Sequence, residues 1–237
     1  MYSQSLKAIL SAARLLLRNR RVLLLTIAAY AGLLLAIYLF VSTREATISQ
    51  LILTLVAVVS APALFFVVQA VSVSYPHGSI SRGLIKKSLR LVAVSLPVLA
   101  LTLLTIYGLN KIHSHPTIVT AVRYLLLAVV IPLLAIQLWI AGSNSGLRSS
   151  VKNLRKVLSS TFAPRSVFVY ACGFLIFAVV PYYLLQGKTS IQRPWLELSL
   201  LFLRIGVSAI LILIGWVTTV GAISILTRSS YVTAQTK

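Results

Sequence analysis

The sequence predicts an all-α fold: a polytopic transmembrane helical bundle of six spans, with basic amphipathic interfacial helices on the cytoplasmic side. Three observations predict it. Only 10% of the 237 residues are charged and 59% are hydrophobic, whereas a soluble domain carries about a quarter charged residues. So few polar groups cannot cover a globule in water, and lipid is the solvent that tolerates the excess. Six apolar runs reach the roughly 20 residues needed to cross a bilayer. Lys and Arg, 22 against two acidic residues, lie mostly between those runs and in two unequal sets.

The spans fall at Val22–Val41, Leu51–Val73, Leu91–Leu109, Ile118–Ile140, Ser166–Leu185 and Leu198–Leu226, all in one transmembrane domain that ends in a tail over 227–237. The first run is too long for the apolar part of a signal peptide and lacks a small-residue cleavage site, so it is expected to stay as a span. Thr47-x-x-Gln50 has the form of a capping box opening span two. Pro116 and Pro194 suit the first turns of spans four and six. Pro62, Pro97, Pro132 and Pro181 lie within or near span ends and should bend them locally. Ala28-xxx-Gly32, Ala57-xxx-Ala61 and Gly215-xxx-Thr219 permit close helix packing.

Topology follows from the cations. Residues 1–21 carry five, 74–90 four, 141–165 five and the tail two, so sixteen share one side. The other side has Arg44, Lys111, Lys188 and Arg193, with Arg123 and Arg204 inside the nearby spans. The Lys/Arg-rich side is cytoplasmic by the positive-inside rule, which puts both termini inside. A net charge of +20 would point to nucleic acid on a soluble protein. Interleaved with apolar runs, it points instead to anionic lipid headgroups, and no nucleic-acid partner is expected.

The basic segments are patterned. In the first, Leu6, Ile9, Leu10, Ala13, Leu16 and Leu17 follow a helical period beside Lys7, Arg14, Arg18 and Arg21. The third sets Leu147, Val151, Leu154 and Leu158 beside Arg148, Lys152 and Arg155. The second, Ile80 to Arg90, carries Arg82, Lys86 and Arg90 in a looser pattern. Each is expected to lie in the interface with its cations among headgroups. Basic segment, span, short outer loop and span then recur three times, opening near residues 22, 91 and 166.

Candidate chemistry is sparse. Arg123 and Arg204 lie about five and six residues inside their spans, roughly 8 to 9 Å below the outer boundary at 1.5 Å per residue. An ionisable group there is a functional-site candidate, and a pair of guanidinium groups can hold a phosphate, carboxylate or lipid headgroup. The competing readings are snorkelling and, for Arg204, pairing with Glu197. Glu45 and Glu197 are the only carboxylates, and acid–base work by a carboxylate pair would need both, brought together from spans one/two and six; Glu197 suits the first turn of a helix. His113 and His115 lack a supporting ligand, and no metal site or cofactor is expected. Cys172, alone in an apolar run, reads as a buried hydrophobe. Tyr2, Tyr75, Tyr107, Tyr182, Tyr183, Trp139 and Trp195 fall near span boundaries, as an interfacial aromatic belt requires, and Trp216 falls deeper.

With Gly-Ser-Ile-Ser-Arg-Gly (78–83) leading into Leu-Ile-Lys-Lys-Ser-Leu-Arg (84–90), the chain resembles uncharacterised bacterial six-span membrane proteins. It is similar in layout to the membrane domain attached to some glycerophosphodiester phosphodiesterases. The resemblance implies a multi-pass protein of the bacterial inner membrane and brings no functional residue with it. The expected function is that of a non-catalytic component binding lipid or a membrane protein partner; the alternative is a transport component for an anionic or lipid-like substrate.

Overall fold

The computed structural model describes residues 2–43, 47–78, 83–111, 116–152, 154–187 and 193–235, without the side chains of 116, 144–152, 154–156 and 229–235. The described residues outside short links are helical. Six helices are long and apolar enough to cross a membrane, and the chain is a multi-pass membrane protein. In chain order, α1 is Tyr2–Arg18, α2 (span one) Arg20–Ser42 and α3 (span two) Ile48–Ser74, followed by a 3-10 turn at Tyr75–His77. Span three is α4, Leu84–Asn110. Span four is built from α5 (Pro116–Leu125), a π turn (Leu126–Val130) and α6 (Ile131–Lys152). After α7 (Leu154–Thr161), span five comprises α8 (Pro164–Phe174), a second π turn (Leu175–Val179) and α9 (Val180–Gln186). Span six is α10, Pro194–Gln235.

The helix starts follow capping chemistry. Gln50 N donates to Thr47 Oγ1 at 3.3 Å and Thr47 N to Gln50 Oε1 at 3.1 Å, which makes the expected capping box. Asn19 breaks α1 from α2: its side chain accepts from Val22 N at 3.3 Å while its backbone leaves the helical region. Pro116, Pro164 and Pro194 open α5, α8 and α10, where a missing N–H leaves nothing unpaired.

The three basic segments behave differently. The first forms a helix of its own, α1, but the stripe it buries is Ser5, Ala8, Ala12 and Leu16. Those small residues pack on α10 and α8, while Leu6, Leu10 and Leu17 stay exposed. At about 100° per residue, α1 thus has a small-residue face on the protein, an outward leucine face, and a third face with Lys7, Arg14 and Arg18. The second segment is not separate: Leu84 to Arg90 are the first two turns of α4, so Lys86 and Arg90 extend span three. Arg82 lies outside the described residues. The third begins as the continuation of α6 and ends in α7; Arg148, Lys152 and Arg155 have side chains outside those described.

Both π turns precede a proline in the same spacing, Leu126 to Pro132 and Leu175 to Pro181. Ile131 N–H reaches back to Leu126 O, and Val180 N–H to Leu175 O, one residue further than in an α-helix. Pro132 has no N–H to give the carbonyl of Ala128, four residues earlier. Tyr170 Oη, from span five, donates to that carbonyl at 2.5 Å. The π turn and the hydroxyl that satisfies its carbonyl thus come from different spans.

Packing rests on close backbone approach. A methyl group on Gly142 would lie 2.9 Å from Val94 Cγ2, and one on Gly215 would lie 3.0 Å from Phe177 Cβ. On Gly173 it would overlap the Thr219 hydroxyl, and on Gly221 the Tyr75 hydroxyl. Gly215-xxx-Thr219 is therefore the face of α10 that seats span five. Tyr75 crosses the bare backbone of Gly221 and donates to Ala12 O at 3.2 Å, tying α1 to the ends of spans two and six. Replacing Gly173 or Gly221 by Ala is expected to destabilise the bundle by about 1–3 kcal/mol, read as an earlier thermal melt in detergent. Gly108→Ala, with no neighbour within 4 Å, should melt with the wild type. Removing the Tyr170 hydroxyl with Tyr170→Phe should cost about 0.6 to 1.7 kcal/mol in the same assay.

Candidate functional site

A cavity of about 370 Å³ opens in the middle of the bundle. Span one contributes Tyr30 and Leu33, span two Phe65, Val68 and Gln69, and span four Pro132 and Trp139; Phe177 comes from span five and Ile212, Leu213 and Trp216 from span six. The volume falls within the roughly 300–1,000 Å³ of small-molecule sites. The lining is almost wholly apolar and rich in aromatic rings. Edge-to-face contacts at 5.7 Å between Phe174 and Phe177, and at 5.2 Å between Phe177 and Trp216, hold that wall in place.

The cavity exists because of how span one is held. Helix α2 packs along α3 and touches α1, but forms no extended seam with α10. Residues of α2 and α10 nevertheless line the same space. Tyr30, Leu33 and Ile212 are only half-buried, and Phe65 is exposed at 36%, so the cavity is partly open to the outside of the bundle.

Two fixed polar contacts shape its interior. Trp216 Nε1 donates to Gln69 Oε1 at 2.8 Å, and Trp139 Nε1 donates to Ser95 Oγ at 2.7 Å. Trp139, expected in the interfacial belt, is instead a buried strut between spans three and four, 5% exposed. Tyr75 likewise leaves the belt for the interior. Tyr2, Tyr107, Tyr182, Tyr183 and Trp195 remain exposed.

At the end where α1, the 3-10 turn and the last described turns of α10 meet, polar residues bind the helices together. Gln137, 2% exposed, donates to Ser166 Oγ at 3.4 Å and accepts from Ser160 Oγ at 3.1 Å and Thr227 Oγ1 at 3.3 Å. It thereby links span four to α7, span five and span six. His77 Nε2 sits 2.9 Å from Ser224 Oγ, which donates to Val73 O at 3.2 Å. Lys7, Arg14, Arg18, Arg20, Arg21, Lys86, Arg165 and Arg228 are exposed around this end, and Arg90 is half-buried.

The intramembrane arginines sit at the opposite end and serve separate helices. Arg123 Nη2 donates to Asn110 Oδ1, in the last turn of α4, at 2.6 Å. Arg204 Nη1 donates to the carbonyl of Gly187, which terminates α9. Each places a cation where a helix dipole presents negative charge. The helices carrying them, α5 and α10, form no extended contact. Arg204 makes no ion pair with Glu197 among the described residues; Glu197 occupies the first turn of α10. Arg123 Nε is enclosed and finds no partner among the described residues. Glu45, His113 and His115 lie outside the described residues, and among those described no group of His, Cys, Asp or Glu could hold a metal ion. Cys172 is half-buried in span five.

Gln69 and Gln137 are the residues that sequence reasoning passed over. The available signal was a carboxamide inside an apolar run, since a polar side chain at membrane depth must find a partner; attention to charged groups alone missed it. No family model, no curated protein and no solved structure matches this chain.

Arg204→Gln should weaken the termination of α9 and lower stability by about 0.3 to 2 kcal/mol, measured by thermal melting of the ligand-free protein. An arginine kept solely for a ligand would leave that melt unchanged.

Proposed function

We propose that this chain is a non-catalytic, multi-pass component of a bacterial cytoplasmic membrane, with both termini inside, that engages anionic lipid headgroups through its basic end. One observation carries the reading. Helix α1 is docked by its small-residue face, with Leu6, Leu10 and Leu17 exposed on a second face and Lys7, Arg14 and Arg18 on a third. A helix held that way in an interface buries leucine in the acyl boundary and sets its cations among headgroups. The positive-inside rule assigns this end to the cytoplasm, whose leaflet carries the anionic lipid. Arg82, Lys86, Arg90, Arg148, Lys152 and Arg155 extend the same charge along the chain. A non-catalytic role is supported by the scarcity of carboxylates: two in the chain, with Glu197 spent at a helix N-terminus.

Transport of an anionic or lipid-like substrate past Arg123 and Arg204 is the second reading, and the enclosed Nε of Arg123, without a partner among the described residues, favours it. The engagement of the two guanidinium groups on separate helix ends counts against it.

The test is lipid retention after purification from vesicles of mixed phosphatidylglycerol and phosphatidylcholine. Wild type should keep phosphatidylglycerol selectively. With about 1 kcal/mol per cation near the surface, a Lys7→Gln, Arg14→Gln, Arg18→Gln, Arg21→Gln variant should retain at least roughly tenfold less. Equal retention by the two proteins would exclude headgroup binding by α1. For topology, Lys111→Cys in a Cys172→Ser background should label with a membrane-impermeant thiol reagent applied from outside the cell.

A further inference from the structure

The cavity between spans one and six has a property separate from the basic end. Trp216 Nε1 is a donor only, so the atom of Gln69 that meets it must be the carboxamide oxygen. The two N–H bonds of Gln69 Nε2 then have no acceptor among the described residues, although the residue is 1% exposed and lines the cavity. Tyr30, on span one, is the other lining side chain whose polar group has no partner among the described residues. A buried amide donor left unmatched is costly. Water is a poor answer, because an ordered water needs two to four polar partners and this lining is almost wholly apolar. The open side of the cavity faces the bilayer, where apolar chains are the solvent.

We propose that the cavity is a binding site for one apolar chain bearing a carbonyl-type acceptor, an acyl ester of the kind found in membrane lipids. The chain enters sideways between spans one and six and lies against the wall formed by Phe65, Phe177 and Trp216. Gln69 Nε2 donates to its carbonyl oxygen. Trp216 holds the carboxamide in the orientation that makes this possible and is a positioning residue.

The three tryptophans give a direct readout. In a Trp195→Phe background only Trp139 and Trp216 emit, and both line the cavity. The purified protein in detergent is titrated with a dibrominated stearic acid methyl ester and with the dibrominated alkane of equal length. Saturable quenching is expected from both, with the ester about tenfold tighter for its one added hydrogen bond. Gln69→Leu should bring the ester down to the alkane's affinity while leaving alkane quenching saturable, which also reports a folded cavity. Should that variant fail to fold, the ester–alkane difference in the parent protein still decides the role of the donor. Leu33→Phe, at the half-buried mouth, should weaken both probes. Quenching that rises without saturation, or that saturates equally with Leu33→Phe present, overturns the site. Equal affinity of ester and alkane in the parent protein overturns the role of Gln69.

Discussion

A peptide group in hydrocarbon has no water to turn to, and the rest of this structure depends on that. Each backbone donor and acceptor at membrane depth must be satisfied inside the protein, which is why the described residues are helical wherever the chain is apolar. Proline is where the rule is stressed, because its missing N–H orphans a carbonyl one turn back. At Pro132 the answer is a π turn and the hydroxyl of Tyr170, supplied by the neighbouring span. Where α9 ends, the carbonyl of Gly187 receives the guanidinium of Arg204. Both cases satisfy the backbone of one helix with the side chain of another, so local structure and tertiary packing are not independent.

Association of the helices has a different origin from folding in water. Lipid tails are as apolar as leucine, so spans gain little by hiding leucine from them. The buried seams accordingly use small residues and polar contacts. Gly142 against Val94, Gly173 against Thr219 and Gly221 against Tyr75 bring backbones close. Gln137 joins four helices through hydroxyl groups. Large apolar side chains such as Leu24, Val59, Leu103 and Phe202 remain outside, at the lipid surface. Helix α10 is the hub: its second half carries a run of buried residues from Val217 to Ser224, and the helix as a whole packs on α1, on α3 and on both halves of span five.

The same economy of contacts leaves room for a ligand. Span one is held by span two and by the capped break at Asn19, with no seam to span six. The space between them is lined by aromatic rings that brace one another edge to face, and by a carboxamide half-used by Trp216. Charge and cavity are separated along the molecule. Exposed cations gather where α1 docks, and the cavity lies deeper, among apolar side chains. The proposed headgroup attraction at one end and the proposed chain binding in the interior thus draw on distinct physical chemistry.

Composition and hydropathy by themselves determined the class and the number of helices long and apolar enough to span, because lipid imposes a length and an apolar character that any spanning helix must show. Short-range chemistry was legible too: Thr47 and Gln50 cap each other within one turn, and Pro116 and Pro194 open helices. What the tertiary structure decided is what each side chain meets. Trp139 and Tyr75 read as belt residues from their positions, yet packing buries them, since distance from a span end does not say whether a face meets lipid or another helix. Leu84 to Arg90 read as an interfacial segment, yet they continue span three, because helical periodicity does not mark where one helix stops and the next begins. Arg123 and Arg204 read as a pair, yet they cap different helices. Gln69 and Trp216 lie 147 positions apart in the chain, and only the fold joins the carboxamide of one to the indole of the other.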